Sequence, residues 1–160
     1  MDAEQAIGAI PDALRKTGMF TSTPFTLVVT NRRLIAAQVT DAVKRAHAAE
    51  QKAAAGGPRL GGLLGRGGGT PLADRYRTMH PDAIAAESPA NLVFTPGLVR
   101  DIVVQRGERA RDEDTMESYL FIRITDARGS HDYSTGAEVP RLADAAALLY
   151  SVFGPVVRIG

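Results

Sequence analysis

Cysteine and tryptophan are both missing from this 160-residue chain, and aromatic residues make up only 6% of it. Without cysteine there are no disulfides, thiolate metal sites, redox switches or cysteine nucleophiles. Without tryptophan, and with Tyr119, Phe121, Tyr150 and Phe153 at core-like spacing, a base-stacking platform is unsupported, so no nucleic acid is expected as a partner. No apolar run approaches the ~20 residues that span a bilayer. The opening MDAEQAIGAI lacks the basic and apolar regions of a signal peptide. These absences predict a cytoplasmic protein that reaches a membrane only from its surface, at its inner face. An excess of one charge is missing too, the net charge being +1. That near-neutral total conceals a basic middle: Lys44, Arg45, Lys52, Arg59, Arg66, Arg75 and Arg77 stand against Glu50 and Asp74. A mildly acidic stretch follows at 106–117.

The length fits one domain, or one domain with an insertion, and buries roughly 70% of the surface of its unfolded chain. Strand signals open it. FTLVVT (25–30) and RLIAAQV (33–39) are rich in β-branched residues and are separated by Asn31-Arg32, where asparagine tolerates the left-handed conformation of a tight hairpin. The stretch 5–20 reads as one or two short strands punctuated by Pro11 and Gly18. Residues 40–55 turn helical, with Thr40 as N-cap and a shallow stripe of Ala42, Val43, Ala46, Ala49 and Ala53 that should pack weakly. Residues 56–70 hold eight glycines in fifteen, too many for a packed element. Helical spacing resumes at 71–79 and again at 81–87, where Pro81 takes the first position.

Strand patterning then returns at 92–94, 99–105 and 118–125, the last with Leu120, Ile122 and Ile124 on one face. Asp126-Ala127-Arg128-Gly129 makes a turn into a hairpin strand at 131–134. The strongest helix, 140–153, carries Leu142, Ala145, Ala146, Leu149, Val152 and Phe153 on one stripe and stops at Gly154-Pro155. Antiparallel strands around one apolar-faced helix imply an α+β class, a curled sheet with the helix plugging its open end.

The hairpin LVVTNRRLIAA resembles the T-N-x-R-L-I hairpin of bacterial PH-like and GRAM-like domains, NLVFTPGLVRDIVV looks like their strand–loop–strand, and LADAAALLYSVFG sits where their capping helix does. The likeness covers about 20–39 and 90–154. It implies a PH-like, strongly bent antiparallel β-barrel capped by a C-terminal α-helix, here as a single 1–160 domain with an insertion at 40–89 made of a basic helix, a Gly-rich loop and two short helices. It further implies binding of lipids, peptides or further copies, without catalysis. The phosphoinositide motif of eukaryotic members lies in their first hairpin loop. There this chain offers only Arg15 and Lys16 before Thr17-Gly18, so inositol-phosphate recognition does not carry over.

The glycine loop lacks the GxxxxGK spacing of a phosphate cradle. Its Leu60, Leu63 and Leu64 lie between Arg59 and Arg66, a pattern suited either to a lipid interface with anionic headgroups or to a linker whose leucines tuck back onto the domain. Lys44, Arg45 and Lys52 would extend that footprint or simply solvate a helix. Arg32-Arg33 could meet phosphate at a hairpin tip. His47, His80 and His131 are scattered and show no metal-ligand spacing, so no metal and no cofactor are expected. His80 is placed as a helix N-cap, and His131-Asp132 is the one pair that could act as base and orienter, with no activated serine beside it. The run 111–114 lacks the glycine and distal glutamate of a calcium loop and reads as a hairpin connection. The leading function is therefore a non-catalytic binding or adaptor module for a protein partner or an anionic membrane surface. A self-associating structural protein using exposed strands is the alternative, and a small enzyme is third.

Overall fold

The computed structural model describes residues 2–54 and 71–160. Eight strands, β1 (Ala6–Lys16), β2 (Ser22–Thr30), β3 (Leu34–Gln38), β4 (Leu92–Phe94), β5 (Asp101–Ala110), β6 (Met116–Asp126), β7 (Gly129–Thr135) and β8 (Val157–Ile159), form one sheet. Its hydrogen-bonded order is β4-β3-β2-β1-β7-β6-β5-β8. All neighbours are antiparallel except β5 and β8, so this is a mixed α+β fold. Among the described residues, helices α1 (Asp41–Ala54), α2 (Pro81–Ala86) and α3 (Leu142–Phe153) and the 3₁₀ turns Leu72–Arg77 and Gly154–Val156 accompany it. The ladder does not close on itself as a barrel would, because β4 and β8 are its two ends.

β1 is one long strand rather than two short ones. Proline cannot donate to a ladder, so Pro11 is confined to an edge or a bulge. The register slips between Ile10 and Ala13, and Asp12 takes a left-handed φ of 54°. Before that bulge β1 pairs with β2 alone; after it, Ala13 and Leu14 also meet Thr135 and Ser134 of β7. A bulge bends its strand, and here it turns β1 from one half of the sheet into the other.

The continuous apolar run in β2 has a cause in burial on both faces. Leu27 and Val29 join Leu34, Ala36, Ile102, Leu120, Ile122 and Ile124 in the main core, which Ala145, Leu149 and Phe153 of α3 close. Val28, on the opposite face, pairs across the ladder with Ile35 and packs with Ala37, Tyr76 and Ile84 in a second core. Residues 72–86 thus cover the back of β2 and β3. Gly154 ends α3 at φ 65°, and Gly129 takes φ 121° in the β6–β7 turn, conformations that L side chains rarely adopt.

The Asn31-Arg32 hairpin forms without a left-handed asparagine, since Asp12 is the only non-glycine with positive φ among the described residues. Thr30 instead accepts the Arg32 and Arg33 amides on its hydroxyl, at 3.0 and 2.9 Å. That frees Asn31 to stitch down the N-terminal segment through Gln5 N–H (3.0 Å) and the Ala3 carbonyl (3.2 Å). Thr40 caps α1 by accepting the Val43 amide at 3.0 Å, and Val43 is the only buried residue of that helix.

Candidate functional site

The β1–β2 hairpin ends in Thr17-Gly18-Met19-Phe20-Thr21. Small hydroxyl residues make such a tip compact by bonding locally. The Thr17 and Gly18 amides donate to the Thr21 carbonyl at 3.0 and 3.3 Å, and the Thr17 hydroxyl lies 3.4 Å from that of Thr21 and accepts from Thr23 at 3.2 Å. These bonds close the turn, while Met19 and Phe20 are left 79% and 94% exposed. Lys16 stands exposed just before them, and no acidic residue occurs between Asp12 and Asp41. The sequence signal was present, an apolar pair beside Thr-Gly, but strand spacing absorbed it.

α1 leaves the sheet at the same end as this tip, because Gln38 pairs with Phe25 and the Val39 amide donates to Pro24. Lys44 lies 4.0 Å from Asp41, one turn away. Arg45 and Lys52 are exposed, two turns apart, and form no ion pair with any described residue. Of the predicted contact set, Lys44, Arg45 and Lys52 therefore share an exposed helix surface, whereas Arg59, Leu60, Leu63, Leu64 and Arg66 lie outside the described residues.

Other basic residues are committed to the fold. Arg33 bonds Glu4 at 2.7 Å and pairs with Asp82, and Arg32 donates to the Asp2 carbonyl at 2.6 Å, so both arginines of the second hairpin engage groups of the chain itself. Arg75 sits between Glu50 of α1 (3.1 Å) and Glu87 beyond α2 (2.6 Å). In the acidic 111–114 connection, Arg111 N–H closes on the Thr115 carbonyl at 2.8 Å and the Asp114 amide on Asp112 at 3.0 Å, a plain hairpin loop.

His131 does not pair with Asp132. Adjacent strand residues point to opposite faces: Asp132 receives a two-point hydrogen bond from Arg123 on the outside, at 2.7 and 2.9 Å, while His131 turns inward to Asp126 at 3.2 Å. Asp126 also accepts from Arg128 at 2.9 and 2.6 Å, and the Arg128 guanidinium reaches on to the Val93 carbonyl at 2.9 Å. The cluster clips the β6–β7 turn to β4, with Phe94 edge-on to His131. His80 caps α2 as its position predicts, its Nδ1 accepting the Asp82 amide at 3.2 Å. Among the described residues, no three His, Asp or Glu side chains converge as a metal site would require.

The Arg128 guanidinium, hydrogen-bonded to Asp126, is the largest cause holding that carboxyl down at about 2, and the His131 contact adds to it. A depressed carboxyl adds stability above its unfolded value near 4, and that stability drains away as pH falls toward 2. Asp126→Asn is expected to be less stable than the parent by about 2 kcal/mol at neutral pH. The gap should shrink on acidification and nearly vanish by pH 2. Urea titrations at stepped pH check this, and a gap independent of pH would contradict it.

An apolar groove of about 460 Å³ runs along β1 on the outer face, between Ile7, Gly8 and Pro11 on one side and Pro71, Ala73 and Tyr76 on the other, with Val139 and Pro140 at its end. No helix among the described residues is long and apolar enough to cross a membrane. Compared with protein-family models, with curated proteins and with solved structures, the chain matches none.

Proposed function

We propose that this protein is a non-catalytic binding module of PH-like architecture that docks on an anionic membrane surface through the tip of its β1–β2 hairpin. The observation that carries the reading is the exposed Met19-Phe20 pair at the apex of an internally hydrogen-bonded turn, with Lys16 directly behind it. Apolar side chains of this kind gain from entering the headgroup boundary, and each nearby basic residue adds about 1 kcal/mol against anionic lipid. Lys44 and Arg45, in the first turns of α1 at the same end of the sheet, suit the same footprint.

The PH-like assignment draws support from the strand order, from a bent β1 shared by both halves of the sheet, and from α3 closing the main core. It takes the bent sheet as a barrel left open between its two end strands. A binding role without catalysis draws support from the His131–Asp126 contact, whose members are buried and whose carboxylate is held by Arg128, out of a substrate's reach. In this reading the chain works in the cytoplasm, at the inner face of the membrane.

Co-sedimentation with phosphatidylcholine vesicles, with and without phosphatidylserine, tests it. The protein should pellet with the anionic vesicles only, and less so as salt rises. Phe20→Asp should weaken binding at least about tenfold, since burying one aromatic side chain is worth roughly 1.5–3 kcal/mol. Lys16→Glu should weaken it several-fold. Equal binding to both vesicle types, or binding indifferent to Phe20→Asp, would remove the membrane reading and leave a protein partner.

A further inference from the structure

The two ends of the sheet are unlike. At one end β4 is three residues long, and its Val93 carbonyl is taken by the Arg128 guanidinium at 2.9 Å. A short edge with charge laid against it is a poor template for another strand. At the other end β8 rests on β5 in a parallel ladder, Ile102 to Val157, Val103 to Arg158 and Val104 to Ile159. The Gly160 amide donates to the Val104 carbonyl at 3.0 Å, which fixes the alternation. Arg158 and Gly160 face β5, and Ile159 turns both its N–H and its C=O outward.

Beside this edge α3 lays an apolar surface. Ala143, Ala147, Tyr150 and Ile159 border a hollow of about 430 Å³, and Tyr150 and Ile159 are 55% and 56% exposed. The charged side chain at this hollow is Arg158, and Asp101 holds its guanidinium by two hydrogen bonds of 2.8 and 3.2 Å. The residues that line the hollow therefore leave no side-chain charge unpaired. A polyanion or an acidic peptide finds no attraction there, and an identical surface meets no repulsion.

We infer that this end of the sheet binds a second copy of the same chain, β8 against β8 in antiparallel array about a two-fold axis. An antiparallel hydrogen-bonded pair asks each residue to donate once and accept once. A single residue that offers one donor and one acceptor outward can satisfy that with its own image, and Ile159 does so. The same axis sets Tyr150 and Ile159 of each copy against the α3 surface of the other, an arrangement in which one patch complements itself. A three-residue strand and one helix face make a small interface, of the kind that associates weakly and reversibly.

The chain has no cysteine, so Ile159→Cys creates a single thiol that can bridge only to another copy. Directly opposed residues in such a pair have Cα atoms about 5.5 Å apart, within disulfide reach. Under mild oxidation Ile159→Cys should become mainly covalent dimer. Met116→Cys, comparably exposed on the distal end of the β5–β6 hairpin, should stay largely monomeric. In sedimentation equilibrium the unaltered chain should rise with concentration from 17.0 kDa toward twice that mass, and Ala147→Arg, on the exposed face of α3, should hold it at 17.0 kDa. The inference is overturned if Ile159→Cys cross-links no faster than Met116→Cys, if the mass stays at 17.0 kDa throughout, or if the dimer survives Ala147→Arg.

Discussion

Leu149→Ala is expected to destabilise the protein by about 2–5 kcal/mol, the cost of emptying a buried leucine site whose walls relax only in part. Leu149 is fully buried, and it lies in the main core with Leu27, Ile122 and Ile124 from strands far apart in sequence. The loss has two sources. The removed carbons no longer leave water on folding, and the remaining cavity forfeits dispersion contacts with every strand around it. Tyr150, the next residue, is the control, since it stands on the solvent side of α3. In dilute solution, where the chain is monomeric, Tyr150→Ala should change the urea midpoint little, while Leu149→Ala should move it sharply with the slope unchanged. Comparable effects from the two would mean that α3 does not close the sheet.

Arg75→Ala should cost about 3 kcal/mol, at the low end of what breaking a buried ion pair costs, because one of its partners is half in water. Its side chain is 7% exposed and joins three elements: the 3₁₀ turn that carries it, α1 through Glu50, and the end of α2 through Glu87. Val43 is the only buried residue of α1, so this ion pair is one of the contacts that dock the helix. Removing the guanidinium strands Glu87 near Tyr76 without a counter-charge, so most of the cost is the orphaned carboxylate rather than the lost attraction. A double-mutant cycle checks this: Glu87→Ala added to Arg75→Ala should restore part of the stability, and strictly additive losses would contradict the account. Loss of α1 docking should also appear as faster amide exchange across Asp41–Ala54.

Local patterning made much of the fold legible. The period-2 stretch holding Leu120, Ile122 and Ile124, the apolar stripe from Leu142 to Phe153, the Thr40 and His80 caps, the turn at Gly129 and the stop at Gly154 each depend on neighbours within a few residues, and each stands in the structure where its spacing puts it, although the last helix begins at Leu142 rather than at residue 140. β8 left no such trace. Three residues carry too little pattern, and β8 exists only because the chain re-enters beside β5 after α3. Nor did the 28–35–76–84 core announce itself, because a run such as LVVT looks alike whether one face is buried or both.

The candidate surfaces divide the same way. Composition by itself determined that cysteine chemistry is out and that the middle of the chain is basic. Which basic residues remain on the surface was settled only by packing: Arg33, Arg75 and Arg128 are drawn into ion pairs with residues 29, 12 and 2 positions away in sequence, while Arg45 and Lys52 stay exposed. Exposure of Met19-Phe20 was decided by the hydroxyl bonds that close the tip beneath them, and the pairing of His131 with Asp126 by the face of the strand on which each residue falls. A residue's type states what it can bind, but its neighbours in space decide what is left for it to bind, and those neighbours come mostly from elsewhere in the chain.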